Sequence, residues 1–306
     1  MHKNFGFLCV VLLLMAGCAT SPSSCTITKA AQAELDFIGG NIPVLDARIN
    51  DIPARLIVDT GDSNSAITLQ MVDRAQLHTI DLPMVRAMGI GGETKVMGAE
   101  VEHFSIGHAV GHRFDFFVSN LFGNDYNKRV GVDGLLGEET LANYDIDFNF
   151  PAHRISFYRV SGCIIVEPPW HGPTSILPLT YNEHHLPTIP VSLDDHVIQA
   201  TLDTGAATTV ISRAALDDLG IEPGREIPGK TVTLAGVGAF RPIGHFYHFT
   251  RIEIGFDRFD DPAILIAGQD LPGVSLILGE NFLNHHRLYI SNATKTLFIQ
   301  DASSSG

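Results

Sequence analysis

Asp59-Thr60-Gly61 recurs as Asp203-Thr204-Gly205, 144 positions later in a chain of 306 residues. One such tripeptide is an ordinary turn sequence, because aspartate caps and glycine tolerates positive φ. Here the surrounding frame recurs as well. Residues 42–68 (IPVLDARINDIPARLIVDTGDSNSAIT) lie over 186–212 (LPTIPVSLDDHVIQATLDTGAATTVIS) without a gap, with Pro43 opposite Pro187, Asp51 opposite Asp195 and Ile67 opposite Ile211. Downstream, GLLGEETL (134–141) lies over LILGENFL (276–283), Gly137 opposite Gly279. The chain is an internal duplication. A pseudo-two-fold pairing of its halves would bring Asp59 and Asp203 together from equivalent loops.

Size and punctuation agree with two lobes. Residues 1–17 read as a signal peptide: a short basic start, the apolar run 4–16, too short for a comfortable membrane span, then small residues before Cys18. Cys18 is the expected lipidation site. A plain signal peptide or an uncleaved anchor is the alternative. Ala19 follows, where aspartate would favour the inner membrane in the commonest bacterial sorting rule, so the expected location is the outer membrane, facing the periplasm. Residues 18–33 read as a tether, 34–160 as an N-terminal lobe, 161–180, rich in glycine and proline, as a linker, and 181–301 as a C-terminal lobe. Two lobes of this size suit a mature chain that is long for one core.

Each lobe follows one programme. A hairpin (around Asn50-Asp51 in the first) leads into Asp-Thr-Gly. A short helix follows (69–77; 213–219), then a glycine-rich turn (88–97, with Gly89, Ile90, Gly91 and Gly92; Ala235 to Gly238, with Gly236 and Val237), more strands, an apolar strand closed by glycine, and a last hairpin. Many short strands with few helices predict an all-β chain.

At these motifs the chain resembles the pepsin and retropepsin superfamily of aspartic peptidases, and among them the bacterial retropepsin-like proteins that carry both lobes in one chain. The resemblance covers about residues 35–300. It implies a bilobal acid-protease fold with an interlobe cleft, catalytic Asp59 and Asp203, and dyad support from Thr60, Gly61, Thr204 and Gly205, the two threonine hydroxyls locking the lobes in register. It implies substrate-binding flaps at Gly89–Gly92 and Gly236–Gly238, no cofactor or metal, and a monomer whose partner is an extended peptide or protein substrate. The chain departs at Asp62, where the family usually has serine or alanine; the second copy has Ala206. A third carboxylate beside the dyad would raise the dyad's apparent pKa, or would point outward onto a backbone amide.

The chemistry stands on its own. Two carboxyls a few ångströms apart cannot both ionise cheaply, so the pair holds one proton and offers a base and an acid at the same pH. The base takes a proton from water and the acid activates the amide carbonyl. This makes an aspartic endopeptidase the expected function, and a catalytically silent peptide-binding lipoprotein of the same fold the alternative. A net charge of −14 without a basic cluster argues against nucleic acid. The histidines, including the pairs His184-His185 and His285-His286, show no metal-ligand spacing and read as scattered surface residues. Once Cys9 leaves with the signal and Cys18 carries lipid, Cys25 and Cys163 are an even pair in an oxidising compartment. They are expected to bridge tether and linker and limit lobe separation; two unpaired thiols are the alternative.

Overall fold

The computed structural model describes residues 24–119, 130–234, 236, 238, 240–268, 271 and 273–301. Cys18 and Val237 lie outside the described residues. The described residues are mostly strand, in three sheets.

Both lobes start from the same local chemistry. Strands Ile42–Ile49 and Ile52–Val58 form a two-residue hairpin at Asn50-Asp51, and Pro187–Leu193 and His196–Leu202 form one at Asp194-Asp195. All four turn residues have φ between 45° and 66°, the tight turn that matches strand twist, and Asn and Asp are the side chains that bear it best. The second strand of each hairpin is inward-facing at its end, with Leu56, Ile57 and Val58 at zero exposure, and it runs straight into Asp-Thr-Gly. The helices Leu69–Ala75 and Arg213–Leu219 begin where Thr68 Oγ1 and Ser212 Oγ accept the amides of Met71 and Ala215 at 3.2 and 3.1 Å. They stop at Gln76 and Gly220 in the left-handed region.

The N-terminal sheet closes on itself. The hairpin His78–Gly89/Gly92–Ile106 returns so that Ala47, Arg48 and Ile49 pair with Ile106, Ser105 and Phe104. The C-terminal sheet repeats the central pattern: Ala200, Thr201 and Leu202 pair in parallel with Leu276, Ile277 and Leu278, as Leu56, Ile57 and Val58 do with Gly134, Leu135 and Leu136.

A third sheet joins the lobes. Its order is Thr26–Glu34, Arg154–Ser161, Asp145–Asn149, His286–Ser291, Thr296–Asp301, Ser175–Pro178. Each half contributes three strands, and the seam runs between Asp145–Asn149 and His286–Ser291, with Ile146 opposite Ile290 and Phe148 opposite Leu288. Alternation divides the two faces. Leu288 and Ile290 join the main core with Phe148 and Ile155, whereas Tyr289 packs on the other face with Trp170, Val166 and Phe298.

Three expectations change here. Residues 26–33, expected within the tether, form a strand because Arg154–Ser161 offers an open edge to pair with. Ser175–Pro178, expected within the linker, likewise pairs with Thr296–Ile299. A disulfide joins Cys25 to Cys163, with Cα atoms 4.4 Å apart. Because Thr26 pairs with Ser161, it staples neighbouring strand ends of one half and does not restrain lobe separation. Among the described residues no helix is long and apolar enough to cross a membrane.

Candidate active site

The two Asp-Thr-Gly loops meet at the lobe boundary. Asp59 leaves its strand with its amide donating to Leu136 O at 2.9 Å; Asp203 does the same to Leu278 O at 3.1 Å. The next residues cross over. Thr60 Oγ1 donates to Leu202 O at 2.7 Å and accepts the Thr204 amide at 3.1 Å. Thr204 Oγ1 donates to Val58 O at 2.6 Å and accepts the Thr60 amide at 3.1 Å. Both threonines are buried, so the four bonds form a closed and satisfied network between the lobes.

Gly61 and Gly205 hold the carboxyls close. A β-carbon at residue 61 would stand 2.1 Å from Asp203 Cγ, and one at residue 205 would stand 2.3 Å from Asp59 Oδ2. Only glycine fits between the loop and the opposite carboxyl. Each glycine amide donates to Oδ1 of its own aspartate at 2.9 Å. Burial lifts both carboxyls above the ordinary range. At Asp59 the charge of Asp203 adds to that effect; at Asp203 the Gly205 amide offsets part of it. The pair therefore keeps a proton to higher pH than an isolated carboxylate would.

Asp62 does both things the sequence allowed. Its Oδ1 accepts the Asn64 amide at 3.1 Å, and it still lies within electrostatic reach of the dyad. Burial, then the Asp59 charge, pushes it up to about 7.

Behind the loops is a second symmetric layer that sequence reasoning missed. Ser65 Oγ and Thr209 Oγ1 accept the amides of Gly137 and Gly279 at 3.0 and 3.3 Å. Glu139 Oε2 and Asn281 Oδ1 accept the amides of Ser65 and Thr209 at 2.8 and 2.7 Å. The preceding residues, Glu138 and Glu280, have their amides on Asp62 O and Ala206 O, both at 2.8 Å. Their side chains are 4% and 0% exposed, and Glu138 Oε2 and both carboxyl oxygens of Glu280 lack a hydrogen-bond partner. Burial, then the neighbouring Glu139, pushes Glu138 up to about 8; burial, then Asp203, also raises Glu280 well above the usual range. Burial thus favours the neutral, protonated form at both positions. The signal was the repeated Gly-Glu at 137–138 and 279–280, which marked a duplicated position without showing which way it faced.

The expected flap residues that are described come together. Gly89 and Gly92 close the N-terminal hairpin, Gly91 bridges Gly238, and the Phe240 amide donates to Gly91 O at 2.9 Å. Ile90 packs on the C-terminal cluster of Val210, Leu234, Phe246 and Leu265, so close to Gly236 that a β-carbon there would lie 2.8 Å from Ile90 Cγ2. The tips meet across the cleft.

His286 departs from the surface reading. It is buried on the inner side of its strand, with Nδ1 2.9 Å from Phe282 O, Nε2 3.3 Å from the Asp257 carboxylate and its ring stacked on Phe282. Among the described residues no group of three or more His, Cys, Asp or Glu could hold a metal.

Two lobes, each presenting Asp-Thr-Gly on a strand that pairs in parallel with an apolar strand behind it, define an aspartic-protease fold. Residues 45–140 match the family model for aspartyl protease, and residues 189–285 match that for the aspartyl protease of gag polyproteins. The chain belongs to the retropepsin-like aspartyl protease superfamily. No curated protein matches it.

Proposed function

We propose that the protein is an aspartic endopeptidase, with Asp59 and Asp203 as one catalytic unit. The observation that carries this reading is the approach of the two carboxyls through Gly61 and Gly205, each aspartate oriented by a glycine amide. One carboxylate takes a proton from an attacking water while the protonated partner donates to the peptide carbonyl; on breakdown of the tetrahedral intermediate the proton passes to the leaving amine. Burial of the loops strengthens each of these electrostatic interactions. The substrate is an extended peptide in the cleft, its backbone paired with the flap tips in the manner of an added strand. With both carboxyls in one chain, a monomer suffices. Cys18 carries lipid and holds the protein to the outer membrane, facing the periplasm.

The test is digestion of a mixed peptide library between pH 4 and 7 by the wild type and by Asp59→Asn. Cleavage lost in the variant supports the proposal. Binding without cleavage by the wild type would establish instead a silent peptide-binding lipoprotein, a reading favoured by the extra acid Asp62 and by the meeting of the flap tips.

A further inference from the structure

The linker folds over the outer face of the six-stranded sheet and leaves an apolar groove there. The groove has a volume of about 450 Å³ and is lined by Ile164, Ile165, Pro168, Trp170, Ile176 and Phe298, with Glu167 as its one acidic residue. Ile164, Ile165 and Ile176 are 92%, 79% and 65% exposed. Two adjacent, almost wholly exposed isoleucines are costly in water and are not needed by the fold, whose linker is already fixed by Val166 and Trp170 beneath them.

The chain's own anchor says what covers them. Ile164 directly follows Cys163, which is bonded to Cys25. Cys25 lies seven positions after Cys18, a reach of at most about 25 Å even when fully extended. A lipid on Cys18 therefore keeps this end of the sheet within about 25 Å of the bilayer surface. Lys29, on the same strand as the disulfide end, stands over the Tyr158 ring on the groove side and brings positive charge to that face of an otherwise acidic protein.

We infer that this groove is a membrane-docking face: Ile164 and Ile165 insert at a lipid surface beside the anchor, and fix the molecule's orientation on it. The inference rests on the lipidation reading above. Its functional consequence follows from the alternation of the sheet. Tyr289 packs with Trp170 and Phe298 on the groove side of the sheet while Leu288 and Ile290 face the core that carries the dyad loops, so a docked sheet turns the cleft away from the bilayer. The substrates would then be water-borne extended segments of periplasmic proteins rather than membrane-embedded ones.

Trp170 is the chain's sole tryptophan and lines the groove, so its fluorescence reports on this face alone. The lipidated full-length product is reconstituted into phosphatidylethanolamine–phosphatidylglycerol vesicles, with and without bromine on the upper acyl chain. The inference expects at least a two-fold loss of Trp170 emission in the brominated vesicles. It also expects recovery of most of that loss in the Ile164→Ser/Ile165→Ser variant, still anchored. Mass analysis of the N-terminal peptide reads the anchor separately. An acylated Cys18 with equal emission in both lipids overturns the docking face alone, whether residues 19–23 or a second copy fill the groove. An unmodified Cys18 overturns the docking face together with the anchor.

Discussion

Replacing Glu138 by glutamine should change how the protein's stability depends on pH. Glu138 is buried, has one unpartnered oxygen, and titrates at about 8 rather than at its ordinary 4.5. A folded-state pKa above the unfolded value means that the native state binds the extra proton. Its contribution is fully present below pH 4.5 and is lost as pH rises through 8. Between pH 5 and pH 7 the native state still holds the proton while the unfolded chain has released it. At about 1.36 kcal/mol per unit, this one group costs roughly 2–3 kcal/mol of stability over that interval. Glutamine cannot titrate, so Glu138→Gln should remove that part of the slope. Its absolute stability at pH 5 is a poor guide, since a buried amide also lacks a partner and costs about 1–3 kcal/mol. The assay is urea unfolding of both proteins at pH 5 and pH 7, compared as a difference of differences. Equal slopes would show that Glu138 is ionised in the fold, paired with a cation or reached by solvent, and would refute the neutral-acid assignment.

Three further outcomes follow from the site. Thr204→Val removes a donor to Val58 O and an acceptor for the Thr60 amide, which should cost about 2–4 kcal/mol in thermal unfolding, with Thr204→Ser close to wild type; equal losses in both variants would mean that the methyl group matters and not the hydroxyl. Burial and the Asp59 charge push Asp62 up to about 7, and the charge of Asp62 in turn raises Asp203. Asp62→Ser removes that charge and should therefore move the pH–rate profile to lower pH; an unmoved profile would sever Asp62 from the dyad. Cys163→Ser opens a crosslink spanning 138 positions, for which chain entropy sets a ceiling of roughly 5 kcal/mol. Unfolding should come earlier with peptide cleavage retained, because both cysteines lie in one half; cleavage lost while the fold persists would return the bridge to a role in lobe closure.

The elements legible in the sequence are those whose cause is local. The turns at Asn50-Asp51 and Asp194-Asp195, the helix start at Thr68 and the glycine after each apolar strand carry their reasons in a few adjacent residues, and duplication doubled every signal. Pairing across the pseudo-two-fold of Asp-Thr-Gly was legible for the same reason. What was missed has distant causes. Thr26–Glu34 is alanine- and lysine-bearing sequence with little strand character of its own, and becomes a strand because an edge 128 residues or so away needs a partner. Glu138, Glu280 and His286 are polar types that composition assigns to the surface, and they are buried beside segments distant in sequence, the loops at Asp62 and Ala206 and the strand residue Asp257. The contact between Gly91 and Gly238 exists only once both halves are placed.

The seam between Asp145–Asn149 and His286–Ser291 has a consequence for selectivity. It joins two copies of one three-stranded unit edge to edge, an arrangement that two identical chains would make equally well. In such a pair every side chain appears twice, and the cleft reads the same from either end. A peptide does not: its two directions present different side chains to any given pocket. Fusing the copies into one polypeptide lets them drift apart, and they have done so beside the paired aspartates: Asp62 faces Ala206 in the alignment, Glu139 faces Asn281, and one flap tip packs against the opposite lobe by way of the partly buried Ile90. The joined sheet keeps the scaffold symmetric while the cleft it supports acquires a left and a right; in the proposed peptidase these would give a preferred direction in which a chain is threaded and cut.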